Sequence, residues 1–332
     1  MKRASIKDIA RIAGVSVATV SYVLNKKEGS RISEATRDKI LKVAQEINYT
    51  PNKIAKSLKM SKSKLIGLIV ADISNDFYSN IARSIEDEAM KMGYTLLIGS
   101  CDENPEKFGK LTELFSEQQV DGMILAPVTG SDDAINRLVR EEYPIVTIDR
   151  YLKNIDLPGV MINNFEISEQ ICDYLLMKDF DELIYVGYDT ELPHLLDRQH
   201  GFETRAENSD VTIKRILTGI HNITEEVHLQ LHNNLDLPKK TAIYFSSNKL
   251  GIAGLRYLID NNIKVPESVS LVAFDETEAY YLFPTEVSFV RQPLEEMARE
   301  SVKLLDSQIN SYIQHGKRAT LQAEFVERNS VK

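Results

Sequence analysis

A row of hydroxyl, amide and methyl side chains carries the first candidate chemistry. In SVATVSYVLN, from Ser16 to Asn25, the residues Val17, Ala18, Ser21, Tyr22 and Asn25 fall on one face of a helix, with Ser16 and Thr19 beside them. Hydroxyls and amides in such a row bond phosphate oxygens and base edges, methyls suit thymine, and a tyrosine reaches further. The surrounding charge has the matching sign. Residues 1–64 hold 15 Lys and Arg against 5 Asp and Glu, a net of +10, whereas residues 65–332 hold 25 against 44, a net of −19 within an overall −9. A basic head on an acidic body can neutralise phosphates. A helical domain built only for protein contact requires neither that charge nor that face.

A second set of reactive types lies in the body, directly after apolar runs. These are Phe77 and Tyr78 in ADISNDFY, Asp149-Arg150, Arg198 in LDRQHGF, Ser247-Asn248-Lys249 and Asp275. Their chemistry is recognition: aromatic faces stack on a sugar ring, carboxylates accept from hydroxyls, and guanidinium groups fork onto a carboxylate or phosphate. Any one alone is more simply a surface charge or a loop cap. Other chemistries lack their residues. His228 and His232 have the i, i+4 spacing of zinc ligands, with His221 nearby, but HLQLH has no glutamate of a metalloprotease motif and no cysteine close by, so a solvated helix face is expected. VADISND after the first apolar run holds no G-x-G-x-x-G, and no serine sits in a G-x-S-x-G elbow. No metal, cofactor or catalytic residue is expected.

The elements that must position these residues follow from periodicity and caps. Ser5-Ile-Lys-Asp8 has the form of a helix start, Ile6, Ile9, Ala10 and Ala13 form an apolar face, and Gly14 ends the helix. After the short Gly14-Val15-Ser16 turn, a second helix buries Val20, Val23 and Leu24. A third, capped by Ser33, buries Ile40, Val43, Ala44 and Ile47 and ends before Asn48 and Pro51. This is a helix-turn-helix with its second helix facing outward. In the body, apolar runs at 65–71, 95–99, 122–126, 145–148, 183–187, 241–245 and 270–274 alternate with amphipathic helices such as 79–92 and 104–118. That alternation means βαβ units and parallel sheets, and ligands then sit beyond the carboxyl ends of the strands. About 270 residues after the head suffice for two lobes. No run of 18 apolar residues suggests a membrane span, MKRASIKD lacks the apolar core of a secretion signal, and Cys101 with Cys172 reads as two free thiols.

The runs SIKDIARIAGVSVATVSYVLN and SEATRDKILKVAQEINYTPNKIAKSLK resemble the LacI/GalR family of bacterial repressors. The resemblance continues through GLIVADISNDFYSNI, GYTLLIGSCDEN, VDGMILAP, PIVTIDR, VPESVSLVAFD and VRQPLEEMARESVKLL. It implies an all-α helix-turn-helix head (residues 1–50), a hinge helix or linker (51–63), and an α/β two-lobed core of the periplasmic-binding-protein-like type I with parallel sheets (64–332). The N-lobe would comprise about 64–162 and 292–322, and the C-lobe about 163–290 and 323–332. Leu58 would wedge into the minor groove with Lys59 beside it, although a two-turn helix alone is marginal in water. Phe77, Tyr78, Asp149, Arg150, Arg198, Ser247, Asn248 and Asp275 match positions where family members contact effectors. Two departures stand out: KKEGSRIS between the second and third helices is longer than the common form, and Asn248 replaces the family's usual aspartate.

The resulting expectation is a cytoplasmic homodimeric repressor of carbohydrate-metabolism genes, bound to a pseudo-palindromic operator and controlled by a small carbohydrate-like effector. A solute-binding protein of a sugar transporter explains the lobes but not the head; a nucleotide-dependent α/β enzyme lacks its glycines. Neutral Asn248 followed by Lys249 tilts the effector towards a sugar acid or sugar phosphate, with a neutral sugar as the close alternative.

Overall fold

The computed structural model describes residues 4–24, 32–47, 49, 62–207, 209–311 and 318–332. By its internal contacts the chain divides into two units, Met1–Ser63 and Lys64–Lys332.

In the first unit, α1 (Ile6–Ala13), α2 (Val17–Leu24) and α3 (Glu34–Glu46) close on one small core. Its buried members are Ile9, Ala10, Ala13, Val20, Val23, Ile40, Val43 and Ala44, with Ile6, Leu24 and Ile47 packed at its edge. Ser5 and Asp8 form a reciprocal capping box: the Ser5 hydroxyl accepts from the Asp8 N–H at 3.3 Å, and the Asp8 carboxylate accepts from the Ser5 N–H at 3.0 Å. Gly14 ends α1 at φ 68°, a left-handed conformation in which a Cβ is costly. Ser16 and Ser33 cap the next two helices, accepting from the Thr19 N–H at 3.0 Å and the Thr36 N–H at 3.3 Å. The expected hinge helix, with Leu58 and Lys59, lies outside the described residues, as do Asn25 and most of the loop before Ser33.

The second unit holds two six-stranded sheets. In one, β1 (Leu65–Val70), β2 (Thr95–Ser100), β3 (Met123–Leu125), β4 (Ile145–Ile148), β5 (Gly159–Ile162) and β11 (Arg318–Leu321) take the order β2-β1-β3-β4-β5-β11, all parallel. In the other, β6 (Glu182–Tyr188), β7 (Thr212–Thr218), β8 (Thr241–Phe245), β9 (Val269–Phe274), β10 (Ser288–Arg291) and β12 (Glu324–Val326) take the order β7-β6-β8-β9-β10-β12, with only β10 and β12 antiparallel. The two sheets therefore repeat one topology. Helices α4 (Asp76–Lys91), α5 (Pro105–Glu117), α6 (Asp132–Arg140) and α12 (Leu294–Ser311) serve the first lobe, and α7 (Asn164–Leu176), α8 (Pro193–Ala206), α9 (Ile223–Asn234), α10 (Asn248–Asp260) and α11 (Glu278–Leu282) the second. The chain passes between the sheets after Ile162, after Arg291 and after Leu321.

Central strands such as LIGLIV and TAIYF are covered on both faces, so they read as unbroken apolar runs. All seven strands expected from such runs are present within one residue at either end. Five more, β5, β7, β10, β11 and β12, had no comparable signal. Four of these span three or four residues, and β7 is an edge strand whose apolar run is broken by half-buried Lys214 and exposed Arg215. The helix expected from Ser79 begins at Asp76, because the Asn75 side chain caps it, accepting from the Phe77 N–H at 3.0 Å.

Helices α7 and α8 pack closely because Gly201 has no side chain: a Cβ there would lie 2.2 Å from the Phe165 carbonyl oxygen. Backbone cannot yield as a side chain can. Gly201→Ala is expected to lower the unfolding free energy by roughly 2 kcal/mol or more, the scale of overpacking. A urea midpoint equal to the parent's would contradict this close contact.

Candidate functional site

On the head, α2 presents Val17 and Tyr22 with 43% and 46% of their surface exposed, together with exposed Ala18. Ser21 is half-buried beside them. Ser16 and Thr19 are less free for recognition than their types suggest, since the Ser16 hydroxyl caps α2 and lies 2.8 Å from the Thr19 hydroxyl. The exposed face is thus apolar and phenolic at its centre.

In the second unit the carboxyl ends of both sheets face one cleft. Phe77, Tyr78, Asp149, Arg150, Arg198, Ser247 and Asp275, widely separated in sequence, all line it. Asp149 follows β4, the fourth strand of the first lobe, and Asp275 follows β9, the fourth strand of the second. Both are left-handed, at φ 64° and 63°. Such backbone costs a non-glycine residue on the order of 1 kcal/mol. It turns the chain at each strand end, where both carboxylates line the cleft.

The donors around these carboxylates are specific. Tyr78 donates to Asp149 Oδ2 at 2.8 Å, while Asp149 Oδ1 is buried with no hydrogen-bond partner. Gln292 Nε2 donates to Asp275 Oδ1 at 2.6 Å, and its own Oε1 is buried and unpartnered. Burial pushes both aspartate pKa values up, against the opposing pull of Arg150 and Arg198 on Asp149 and of Arg198 on Asp275. Arg150 grips Glu103 with two bonds of 2.8 and 2.7 Å, leaving its Nε 3.7 Å from Asp149 Oδ2. Arg198 lies 3.5 Å over the Phe274 ring and donates to Asn164 Oδ1 and to the Ser246 carbonyl, each at 2.8 Å. Ser247 caps α10 and shares a 2.9 Å hydrogen bond with the Tyr188 hydroxyl.

Asn248 behaves differently from its neighbours. It is buried outside the cleft lining, and its amide donates to Asn75 Oδ1 of the opposite lobe at 2.8 Å. Lys249 forms an ion pair with Asp72, also across the lobes. Sequence reasoning passed over Glu103, His194 and Gln292, which line the same cleft. His194 is fully enclosed, and burial drives its pKa well below the usual histidine range, so its imidazole is neutral with Nδ1 unpartnered. The strand-end rule covers Glu103 and His194, which sit just beyond β2 and β6; Gln292 lies at a chain crossing, for which no sequence signal exists. His228 is half-buried against Tyr257, and among the described residues no group of three or more His, Cys, Asp or Glu could hold a metal ion.

A carboxyl whose folded pKa is raised destabilises the fold at any pH above that raised value, and the penalty disappears as pH falls towards the ordinary aspartate range. Asp275→Asn is therefore expected to raise the thermal midpoint at neutral pH, with an advantage that shrinks on acidification. An advantage that instead grew as the pH fell would mean that Asp275 is held ionised by its neighbours rather than penalised by burial.

Residues 5–52 match the family model described as "Bacterial regulatory proteins, lacI family", and residues 172–331 match the "Periplasmic binding protein-like domain". The HTH-type transcriptional regulator RegA of Clostridium saccharobutylicum is 30% identical over 329 residues, covering 98% of both chains. The HTH-type transcriptional regulator DegA of Bacillus subtilis is 29% identical, covering 99% of this chain and 98% of its own. The crystal structure of the lac repressor dimer bound to operator and the anti-inducer ONPF superposes with a TM-score of 0.84 at 18% identity, covering 99% of each chain. No described helix is long and apolar enough to cross a membrane. With a matching head, a matching body and a full-length relative, the chain belongs to the lacI family of bacterial transcriptional regulators.

Proposed function

We propose that this regulator is a cytoplasmic homodimeric repressor of carbohydrate-metabolism genes. Its affinity for a pseudo-palindromic operator is set by a small, neutral, hydroxyl-rich effector bound between the lobes. The observation that carries the effector reading is the pattern of buried, unpartnered atoms along the cleft. Asp149 Oδ1 and Gln292 Oε1 accept, Arg150 Nε donates, and neutral His194 Nδ1 does one or the other according to its tautomer. Buried polar atoms without partners are costly, and a ligand bearing several hydroxyls satisfies acceptors and donors alike. Phe77 and Tyr78, edge to face at 4.9 Å, supply an apolar wall.

A sugar acid or sugar phosphate has less support here than the sequence lent it. Glu103 occupies Arg150, Asp72 occupies Lys249, and Arg198 is committed to Asn164 and the Ser246 carbonyl between two aspartates. Of the three cations that line the cleft, Arg150 and Lys249 are ion-paired, and Arg198, bonded to neutral groups, lies in the field of Asp149 and Asp275, which opposes an anionic ligand there. Thermal-shift screening of neutral sugars and nucleosides against the matching sugar acids and phosphates tests this, since a ligand bound to the native state raises its melting temperature. Neutral ligands are expected to stabilise and acidic ones not. Stabilisation by acids alone, abolished in Arg198→Ala, would overturn the neutral reading.

The head supports the operator reading through charge and face, and exposed Met90, Ile98 and Leu114 on one lobe with Ile259 and Leu282 on the other support pairing through the body. Effector binding then alters DNA affinity only insofar as it favours one state of the body over another. Gel shifts on the gene's own upstream region test DNA binding. The logarithm of affinity is expected to fall with that of salt by an exponent of roughly 6–10, and Tyr22→Ala to cost about 1–3 kcal/mol on the best site. A slope near zero, or full affinity in a chain beginning at Lys64, would exclude operator binding by the head. Either transporter or enzyme function would leave no such shift.

A further inference from the structure

Among the described residues, four side-chain bonds join the lobes away from the chain crossings themselves, and three of them end on one short loop. Between β1 and α4, the loop of residues 72–76 offers Asp72 to the Lys249 ammonium, Asn75 Oδ1 to the Asn248 amide at 2.8 Å, and Asp76 Oδ2 to the Thr277 hydroxyl at 2.8 Å. Their partners stand at the N-termini of α10 and α11. The fourth bond, Tyr151 to Asp197 at 3.2 Å, does not involve this loop. Asp72, Asn75 and Lys249 also line the cleft itself.

We propose that the 72–76 loop and the Asn248-Lys249 pair form a latch that holds the core closed in the absence of any ligand, and that Asn248 serves the latch in place of the effector. Asn75 fixes the polarity of this bond. Its Oδ1 is already committed to capping α4, accepting from the Phe77 N–H at 3.0 Å, so the atom it turns towards the second lobe is an acceptor. Only a donor can answer it. An amide at position 248 donates; a carboxylate there would set oxygen against oxygen across the lobes. The neighbouring residue supports the same contact. Lys249 meets Asp72, whose other oxygen is held by the Ser74 N–H at 2.9 Å and the Ser74 hydroxyl at 2.7 Å, so the anion is oriented before the lysine arrives. Hydrogen bonding from Lys249 and Ser74 holds the Asp72 pKa below its ordinary value in spite of partial burial. Lys249 remains 38% exposed and Asp72 21%, so the ion pair is accessible to salt and can open.

The closing test measures lobe separation in the full chain without ligand, so its outcome does not depend on the effector's identity. Spin labels are placed at Glu106→Cys and Glu225→Cys, exposed positions on α5 and α9, with the doubly labelled chain diluted in unlabelled chain; Cys101 and Cys172 are buried. The parent is expected to give a predominantly short distance that lengthens as salt is raised. Asn248→Asp and Lys249→Met should each lower the closed-to-open ratio roughly three- to tenfold, while Lys249→Arg keeps the short distance. Distance distributions in Asn248→Asp and Lys249→Met that superimpose on the parent's would overturn the latch. Equal opening in Lys249→Arg and Lys249→Met would also overturn it, by assigning the effect to damage at the start of α10.

Discussion

Carboxylates taken out of water between two lobes must be answered by donors, and most of the second unit's organisation follows from that requirement. Asp149 and Asp275 stand buried at equivalent strand ends, where left-handed backbone turns the chain. Neither could persist there alone, because an unpaired buried charge costs far more than the fold can spare. Tyr78, Gln292, Arg150 and Arg198 each supply part of the answer, and each comes from a different element. The side chains that make closure electrostatically possible are therefore also those that converge on the ligand space. Structural need and recognition are here hard to separate.

On the proposed reading, selectivity arises from the remaining imbalance. Glu103 takes up the fork of Arg150, and the Ser246 carbonyl with Asn164 takes up most of Arg198, so the guanidinium groups serve as scaffolding that orients carboxylates. What is left unanswered is a handful of single atoms on aspartate, glutamine, arginine and histidine. Such a surface is what the proposed neutral, hydroxyl-rich effector would meet, a ligand that donates and accepts at several points without bringing charge of its own.

The sequence made the fold legible to very different degrees in different places. The head's caps and turn were readable because Ser5, Gly14 and Ser33 act on their own neighbours, within four residues. The central strands were readable because burial on both faces leaves an unbroken apolar run. GVMI fell below that signal because it spans only four residues, and the edge strand TIKRILT because lysine and arginine interrupt its apolar residues. The same division holds in the cleft. Strand-end aspartates could be found by rule, and the family resemblance gathered them. The role of Arg150 could not, because its fork belongs to Glu103, 47 residues away. Nor could that of Asn248, whose partner is 173 residues distant. Residue type announces what a side chain is able to bind; only the fold determines whether it is already taken.

The three chain crossings between the sheets have a mechanical consequence. A body joined to another by one strand swivels freely, and one joined by two folds along a line that can still twist. Three connections, after Ile162, Arg291 and Leu321, constrain the lobes as a door is constrained by three pins, leaving essentially one coordinate of motion. A protein with a single soft coordinate can be read out far from its cleft, since every displacement of one lobe implies a definite displacement of the other.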